Sequence, residues 1–525
     1  MACTVESERL GVLRGLEVKS KDSDSSIYYY GSVPYALAPV EEWRFRRPRP
    51  LPQSYRYHGT YTGNTPVCPQ PEWLGSRQEK LWDEDCLRLN IYIPAGKPPS
   101  EGWPVFFYIH GGFLQWGNPN MAPEDIAPLL TETAFRCIIV QPAYRLNAFG
   151  FLASHELQAE AEGHGHTAGN NGFWDQRAAL EWTHANIGDF GGNPRNITVG
   201  GYSAGAHSTF QQLAHELYFV PADKAIIRRA IMWSNSPGIQ PKDMQEQQKQ
   251  FDELLSALGI SLGLSASEKL KKLRQTPARD IIDAQAEMKI TDFRATTDNS
   301  FISAESIAHI NSGDFARRMK SRGIKLMNGE CQDEHNLYRA WRTAKDSYDG
   351  LYTRLCADYP ERAVQKLLRY YCGPSQSLPP GYTSWQDLFG HAYANLQVHC
   401  IERGFHNKLS TQLQPGRDLL RYRIEWRAGC AGYPPEWGVT HATDMAIWFW
   451  YPDLTDEEKK ILKPWNEAFA RFVKGEHADW GTKNMQEMRR LRPDGQTDIL
   501  KVDEKWEEGL HVWKLVNGSD DKPQL

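Results

Sequence analysis

No run approaches the roughly 18 consecutive apolar residues that a membrane-crossing helix needs, so no span is expected. Cysteine is sparse: nine among 525 residues, with no C-x-x-C pair, which argues against a disulfide scaffold and against a zinc centre. The odd number leaves at least one thiol free or paired between molecules. An excess of one charge is missing too. Lys and Arg number 60 against 65 Asp and Glu, a net charge of −5, so no broad basic field exists for a phosphate backbone and nucleic acid is not an expected partner. Repeats, charge blocks and Gly/Ser linkers are absent. The start, Met1 to Arg9, carries acids where a secretory leader needs a basic residue and an apolar run, which gives the expectation of a cytoplasmic protein.

What is present is ordinary globular composition, 40% hydrophobic and 24% charged. Short apolar runs with turn residues behind them read as buried strands: Val105 to Ile109, Cys137 to Val140, Ile197 to Val199, Arg229 to Trp233 and Ile324 to Met327. Leu419 to Trp426 is similar, but its charges predict a less buried edge. Helices fall between them. Phe251, Leu254, Leu255 and Leu258 sit at i, i+3, i+4 and i+7 ahead of Gly259, and Ser265 with Glu268 forms a capping-box pattern. Alternating strands and helices predict an α/β protein, a mostly parallel sheet covered on both faces, with its chemistry at the strand C-termini.

Gly201-Tyr202-Ser203-Ala204-Gly205 follows one such strand and opens the helical run Ala206 to Leu217. Small residues beside the serine allow a sharp strand-to-helix turn that pushes the hydroxyl outward, which makes Ser203 the candidate nucleophile. The same turn puts the Ala204 N–H at a helix N-terminus, where it can face an oxyanion. His110-Gly111-Gly112-Phe113, directly after another strand, supplies the second set of N–H donors that acyl transfer needs. His110 reads as structural.

These residues resemble the type-B carboxylesterase/lipase, cholinesterase-like family of α/β-hydrolases. The likeness runs nearly end to end: Tyr30 to Ala36, Glu84-Asp85-Cys86-Leu87-Arg88-Leu89-Asn90, Tyr144-Arg145-Leu146, Gly169-Asn170-Asn171-Gly172, Phe190-Gly191-Gly192-Asn193-Pro194 and the serine elbow come in one order. Residues 1–525 are therefore expected to form a single domain, with helical insertions such as 265–299 and 338–382 shaping the substrate pocket. The resemblance implies a Ser-Glu-His triad. Glu334, in Gly329-Glu330-Cys331-Gln332-Asp333-Glu334, matches the acid, with Asp333 and Glu330 as alternatives of register, and His441, in Gly438-Val439-Thr440-His441, matches the base. Backbone N–H groups from Gly111, Gly112, Phe113 and Ala204 would hold the oxyanion. No metal or organic cofactor is implied.

Cys68 and Cys86 match the family's first disulfide, which a reducing compartment would leave open. The chain departs from the family at two places. Tyr202 stands where many members carry glutamate, so cationic esters are less expected, and Phe113 replaces a third glycine, which should narrow the acyl pocket. Tyr202, Trp116 and Trp437 are candidate pocket residues, and Trp73, Trp448 and Trp450 lie in segments the family places around its gorge. The expected activity is hydrolysis of a small hydrophobic or aromatic carboxylic ester through an acyl-serine. Acyl transfer or lactone chemistry by the same triad, and a non-catalytic binding protein, are the rivals. The oligomeric state, monomer or dimer, is open.

Overall fold

Alternate residues of a strand face opposite ways, and in the central strands both sets are buried, so these strands need cover on two sides. The computed structural model describes residues 2–20, 25–72 and 79–518. Its central sheet is built from β1 (Ala2–Ser7), β2 (Gly11–Lys19), β3 (Ser26–Pro34), β4 (Tyr57–Thr60), β5 (Arg88–Pro94), β6 (Trp103–Ile109), β7 (Ile138–Pro142), β8 (Gly192–Tyr202), β9 (Ile227–Trp233), β10 (Lys325–Cys331), β11 (Leu419–Ile424), β12 (Met488–Leu491) and β13 (Thr497–Leu500). The order across the sheet is β1-β2-β3-β5-β7-β6-β8-β9-β10-β11-β12-β13, with β4 beside β2. From β7 to β12 every neighbouring pair is parallel, while the flanking pairs at both edges are antiparallel. This is the α/β-hydrolase arrangement.

Val105, Phe107 and Ile109 of β6 and Ile197 and Val199 of β8 enter one core with the helices Asn171–Asn186 and Ala204–Phe219. Phe106 and Tyr108 of β6, and Tyr202 and Trp233, enter the other, under the helix Asp456–Lys474. Burying these side chains supplies about 1.5–3 kcal/mol each. Among the described residues no helix is long and apolar enough to cross a membrane.

Some strand ends run up to five residues beyond the apolar runs, as at Gly192–Tyr202 around Ile197 to Val199, because pairing continues after side-chain patterning stops, while Leu419–Ile424 stops two residues short of Trp426. The capping box is formed: the Glu268 carboxylate accepts from Ser265 N at 3.0 Å, and Ser265 Oγ from Glu268 N at 3.4 Å. β11 departs from expectation. It is an interior strand, paired on both sides and almost wholly buried. Its charges are answered from neighbouring elements: Arg421 donates to Glu402 at 2.7 Å and to Asp503 at 3.0 Å, and Arg423 to Glu330 at 3.3 Å. Buried arginine persists when it is paired and hydrogen-bonded.

All nine cysteines are free thiols, including Cys68 and Cys86, which lie buried and interacting with each other. Cys68 Sγ also accepts from Leu146 N at 3.4 Å and donates to Pro69 O at 3.7 Å.

Candidate active site

β8 ends at Tyr202 and the next helix starts at Ala204, so the whole reversal falls on Ser203, whose φ of 57° and ψ of −123° are strained for a residue with a side chain. Hydrogen bonds hold it there. Ser203 N donates to Trp233 O at 2.9 Å, and its carbonyl accepts from Ala206 N and His207 N at 2.9 and 3.1 Å. The turn also needs Gly205: a Cβ there would lie 2.0 Å from Ile109 O.

The loop after β6 closes onto the serine from the side. Gly111 packs so near that a Cβ on it would stand 3.1 Å from Ser203 Cβ. Gly112 has φ +105°, and its carbonyl accepts from Gln115 N and Trp116 N at 2.9 Å. His110 anchors the loop, stacked on Tyr144 at 4.5 Å with Nδ1 2.9 Å from Gly111 O. Burial pushes this imidazole down to about 4, so it stays neutral. Among the described residues, the N–H groups of Gly112, Phe113 and Ala204 donate to no other group. Unspent donors on the turns that flank a nucleophilic hydroxyl are what a developing oxyanion requires.

Glu334 and His441 meet through two laced loops. Asp333 N donates to Val439 O and Val439 N to Asp333 Oδ2, both at 2.9 Å, and Leu337 N donates to Thr440 Oγ1 at 3.0 Å. Within this frame Glu334 accepts from Cys331 N at 2.9 Å through Oε1, and its Oε2 lies 2.5 Å from His441 Nδ1. Both side chains are buried. Tyr338 OH sits 3.1 Å from Nδ1 and 3.5 Å from Nε2 of the same ring. The alternative acids are occupied elsewhere. Asp333 caps Val439, and Glu330 is bound by Arg403 at 2.5 and 3.0 Å and by His399 Nδ1 at 2.7 Å.

Tyr202 links serine to histidine. Its hydroxyl donates to Asp444 Oδ1 at 2.6 Å and accepts from Ala442 N at 2.7 Å, and its ring lies 5.1 Å from the His441 ring. The residue before Ser203 is thus tied to the residue after His441. Among the described residues the Ser203 hydroxyl makes no hydrogen bond of its own, and the serine–imidazole contact is open. Such contacts commonly tighten only when substrate arrives.

The pocket over Ser203 is walled by Phe113, Leu114, Ile239, Arg294, Asp358 and Tyr359, with His207, Asn235 and Gln397 completing it. None of the three expected aromatic or phenolic wall residues is among these. Tyr202 points to the opposite sheet face, because strand alternation turns it away from the face Ser203 leaves. Trp116 lies behind Phe113, ring centroids 6.3 Å apart, with Nε1 donating to Pro71 O at 2.9 Å. Trp437 is stacked on Tyr433 in the turn Pro435–Trp437. Trp448 stacks on Trp233 in the core and Trp450 bonds Glu132, while Trp73 lies outside the described residues. Phe113 does wall the pocket. Two residues missed in sequence carried a signal: His207 is one helical turn beyond Ser203, and Asn235 is the second residue past the strand end at Trp233. Arg294 and Asp358, from the two helical insertions, carried none.

The carboxylesterase family matches residues 3–513. A carboxylic ester hydrolase of Gibberella moniliformis is 54% identical over 520 residues, covering 97% of this chain and 95% of its own length. An uncharacterized esterase/lipase of Schizosaccharomyces pombe is 38% identical, covering 98% and 97%. The para-nitrobenzyl esterase of Bacillus subtilis is 31% identical, covering 86% and 87%. On this evidence the chain belongs to the carboxylesterase family, the serine carboxylic-ester hydrolases of α/β-hydrolase fold.

Proposed function

We propose that this enzyme hydrolyses a small carboxylic ester through an acyl-serine. Ser203 attacks the carbonyl and passes its proton to His441, and Glu334 fixes the imidazole orientation and stabilises the imidazolium. The N–H groups of Gly112, Phe113 and Ala204 take the oxyanion. His441 then returns the proton to the leaving alcohol, and water repeats the sequence on the acyl-enzyme. The observation that carries this reading is three unspent N–H donors on the two turns that flank Ser203, whose neighbour Tyr202 is bonded to the loop of a histidine already paired with Glu334.

Leu114, Ile239 and Pro241 beside Phe113 and Tyr359 favour a hydrophobic or aromatic body, and the cavity of about 50 Å³ favours a compact acyl group. A panel of aryl and alkyl esters of graded acyl length, assayed with wild type and Ser203→Ala, tests this. The alanine variant should lose turnover by at least about 10³-fold while keeping its fold. Full turnover by that variant overturns the mechanism. Product analysis with an added alcohol or amine separates hydrolysis from acyl transfer.

A further inference from the structure

One wall of the pocket over Ser203 is charged. Arg294 and Asp358 both line it and face each other as an ion pair. Behind them Arg354 donates to Asp358 Oδ2 at 2.8 Å and Arg342 to Asp292 Oδ2 at 2.8 Å, while Arg294 stands 3.7 Å and Arg354 3.9 Å from Asp292. Three guanidiniums therefore meet two carboxylates, and one positive charge is left over. Lys242 adds to it. That side chain is buried, donates to Ala357 O at 3.1 Å and feels Asp358, though Glu246 partly offsets it from the following helix.

The excess sits next to the chemistry. The Arg294 guanidinium lies 5.7 Å from the Phe113 ring centroid, and Phe113 bears one of the oxyanion donors. Arg294 is also short of partners: its Nε is buried without one, and its bond to Tyr393 OH is long at 3.4 Å. His207 on the same wall is kept neutral, pushed down to about 4 by burial and then by Arg294. A buried cation without an equal counter-charge is costly unless something supplies the anion. Among the described residues no third carboxylate pairs with these three guanidiniums, and Arg294 and Asp358 line the same pocket as Ser203.

We infer that the ester this enzyme takes carries a carboxylate on the half that lies along Arg294, so that the substrate is a half-ester of a dicarboxylic acid or an ester of a hydroxy acid. The inference rests on the Ser203 reading above. The rest of the substrate stays apolar, against Leu114 and Ile239, and only its far end is charged.

Two matched pairs of substrates test it. Ethyl hemiglutarate against ethyl glutaramate places the charge on the acyl half, and acetylglycolate against acetylglycolamide places it on the alcohol half. In wild type, kcat/KM should favour the carboxylate member of one pair by at least about tenfold, chiefly through KM, because attraction at short range in a dry pocket is strong. Arg294→Met should cut that ratio by at least about tenfold and Arg294→Lys should restore part of it. If Arg294→Met unfolds by stranding Asp358, the double variant Arg294→Met/Asp358→Asn removes both charges, and free glutarate should inhibit wild type better than glutaramide, its uncharged diamide, does. Equal or better turnover of the neutral member in both pairs, or a ratio unmoved by removing Arg294, overturns the inference and leaves the esterase reading intact. No turnover of any of the four esters while the aryl and alkyl panel is still hydrolysed overturns the inference alone, and no turnover of either set overturns the esterase reading.

Discussion

Tyr202→Phe removes one oxygen and leaves the ring packing in place. That oxygen binds Asp444 at 2.6 Å and Ala442 N at 2.7 Å, with Ser234 Oγ 2.8 Å away. A hydrogen bond to a charged group contributes about 1.5–3 kcal/mol, and an orphaned buried N–H costs about 1–3 kcal/mol, so a total loss of about 3–5 kcal/mol is expected. Function should fall as well. Ala442 holds a φ of 70°, and without its acceptor it relaxes and carries His441 with it. A displacement near 1 Å costs about 10²-fold in rate. The pH dependence gives a further signature. Burial raises the Asp444 carboxyl above its ordinary value, and the Tyr202 hydroxyl is the strongest of the bonds that oppose this rise. The folded-state value thus lies above the unfolded one, which means stability is lost as pH rises through it, and the variant, with a still higher value, loses more. The stability gap between wild type and variant should widen from acid toward neutral pH. Urea midpoints at a series of pH values, with kcat/KM on one aryl ester, measure both effects. An unchanged midpoint together with unchanged turnover refutes the link.

Gly112→Ala puts a Cβ 2.2 Å from Trp116 O at a φ of +105°, so the oxyanion loop must shift and kcat should fall by about 10²–10³-fold with KM less affected. Glu330→Gln should destabilise by about 3–5 kcal/mol by removing the buried carboxylate that Arg403, Arg423 and His399 share, while kcat per folded molecule stays within a few-fold, a result that separates it from the triad acid. Arg403 and His399 hold the Glu330 carboxyl well below its ordinary range despite burial, so its contribution is present at neutral pH and lost on acidification, and the variant's acid-unfolding limb should be shallower. Thiol titration of the denatured, unreduced protein should give nine reactive groups, and a count of seven would mean an oxidised pair.

The elbow, the glycine loop and the parallel strands were legible because each depends on neighbours within a few residues: small side chains at a tight turn, apolar runs that demand cover, a cap three residues from its partner. The aromatic assignments failed for a different reason. Trp116, Trp437 and Trp448 look alike along the chain, and only packing decides that one backs Phe113, one stacks on Tyr433 and one lies under Trp233. Tyr202 was misplaced although strand alternation already turns it from the serine's face. β11 was read as an edge from its arginines, since their acidic partners come from segments far away in sequence.

Sequence by itself determined the α/β class and the position of the nucleophile, because alternating apolar runs demand a covered parallel sheet and few residues fit so tight a strand-to-helix turn, and the family resemblance implied the α/β-hydrolase fold. Tertiary structure alone decided which carboxylate holds His441, that Cys68 and Cys86 remain thiols, and that a net positive cluster from two insertions walls the pocket. Those outcomes depend on distances between residues about 20 to 250 positions apart, which only the packed chain sets.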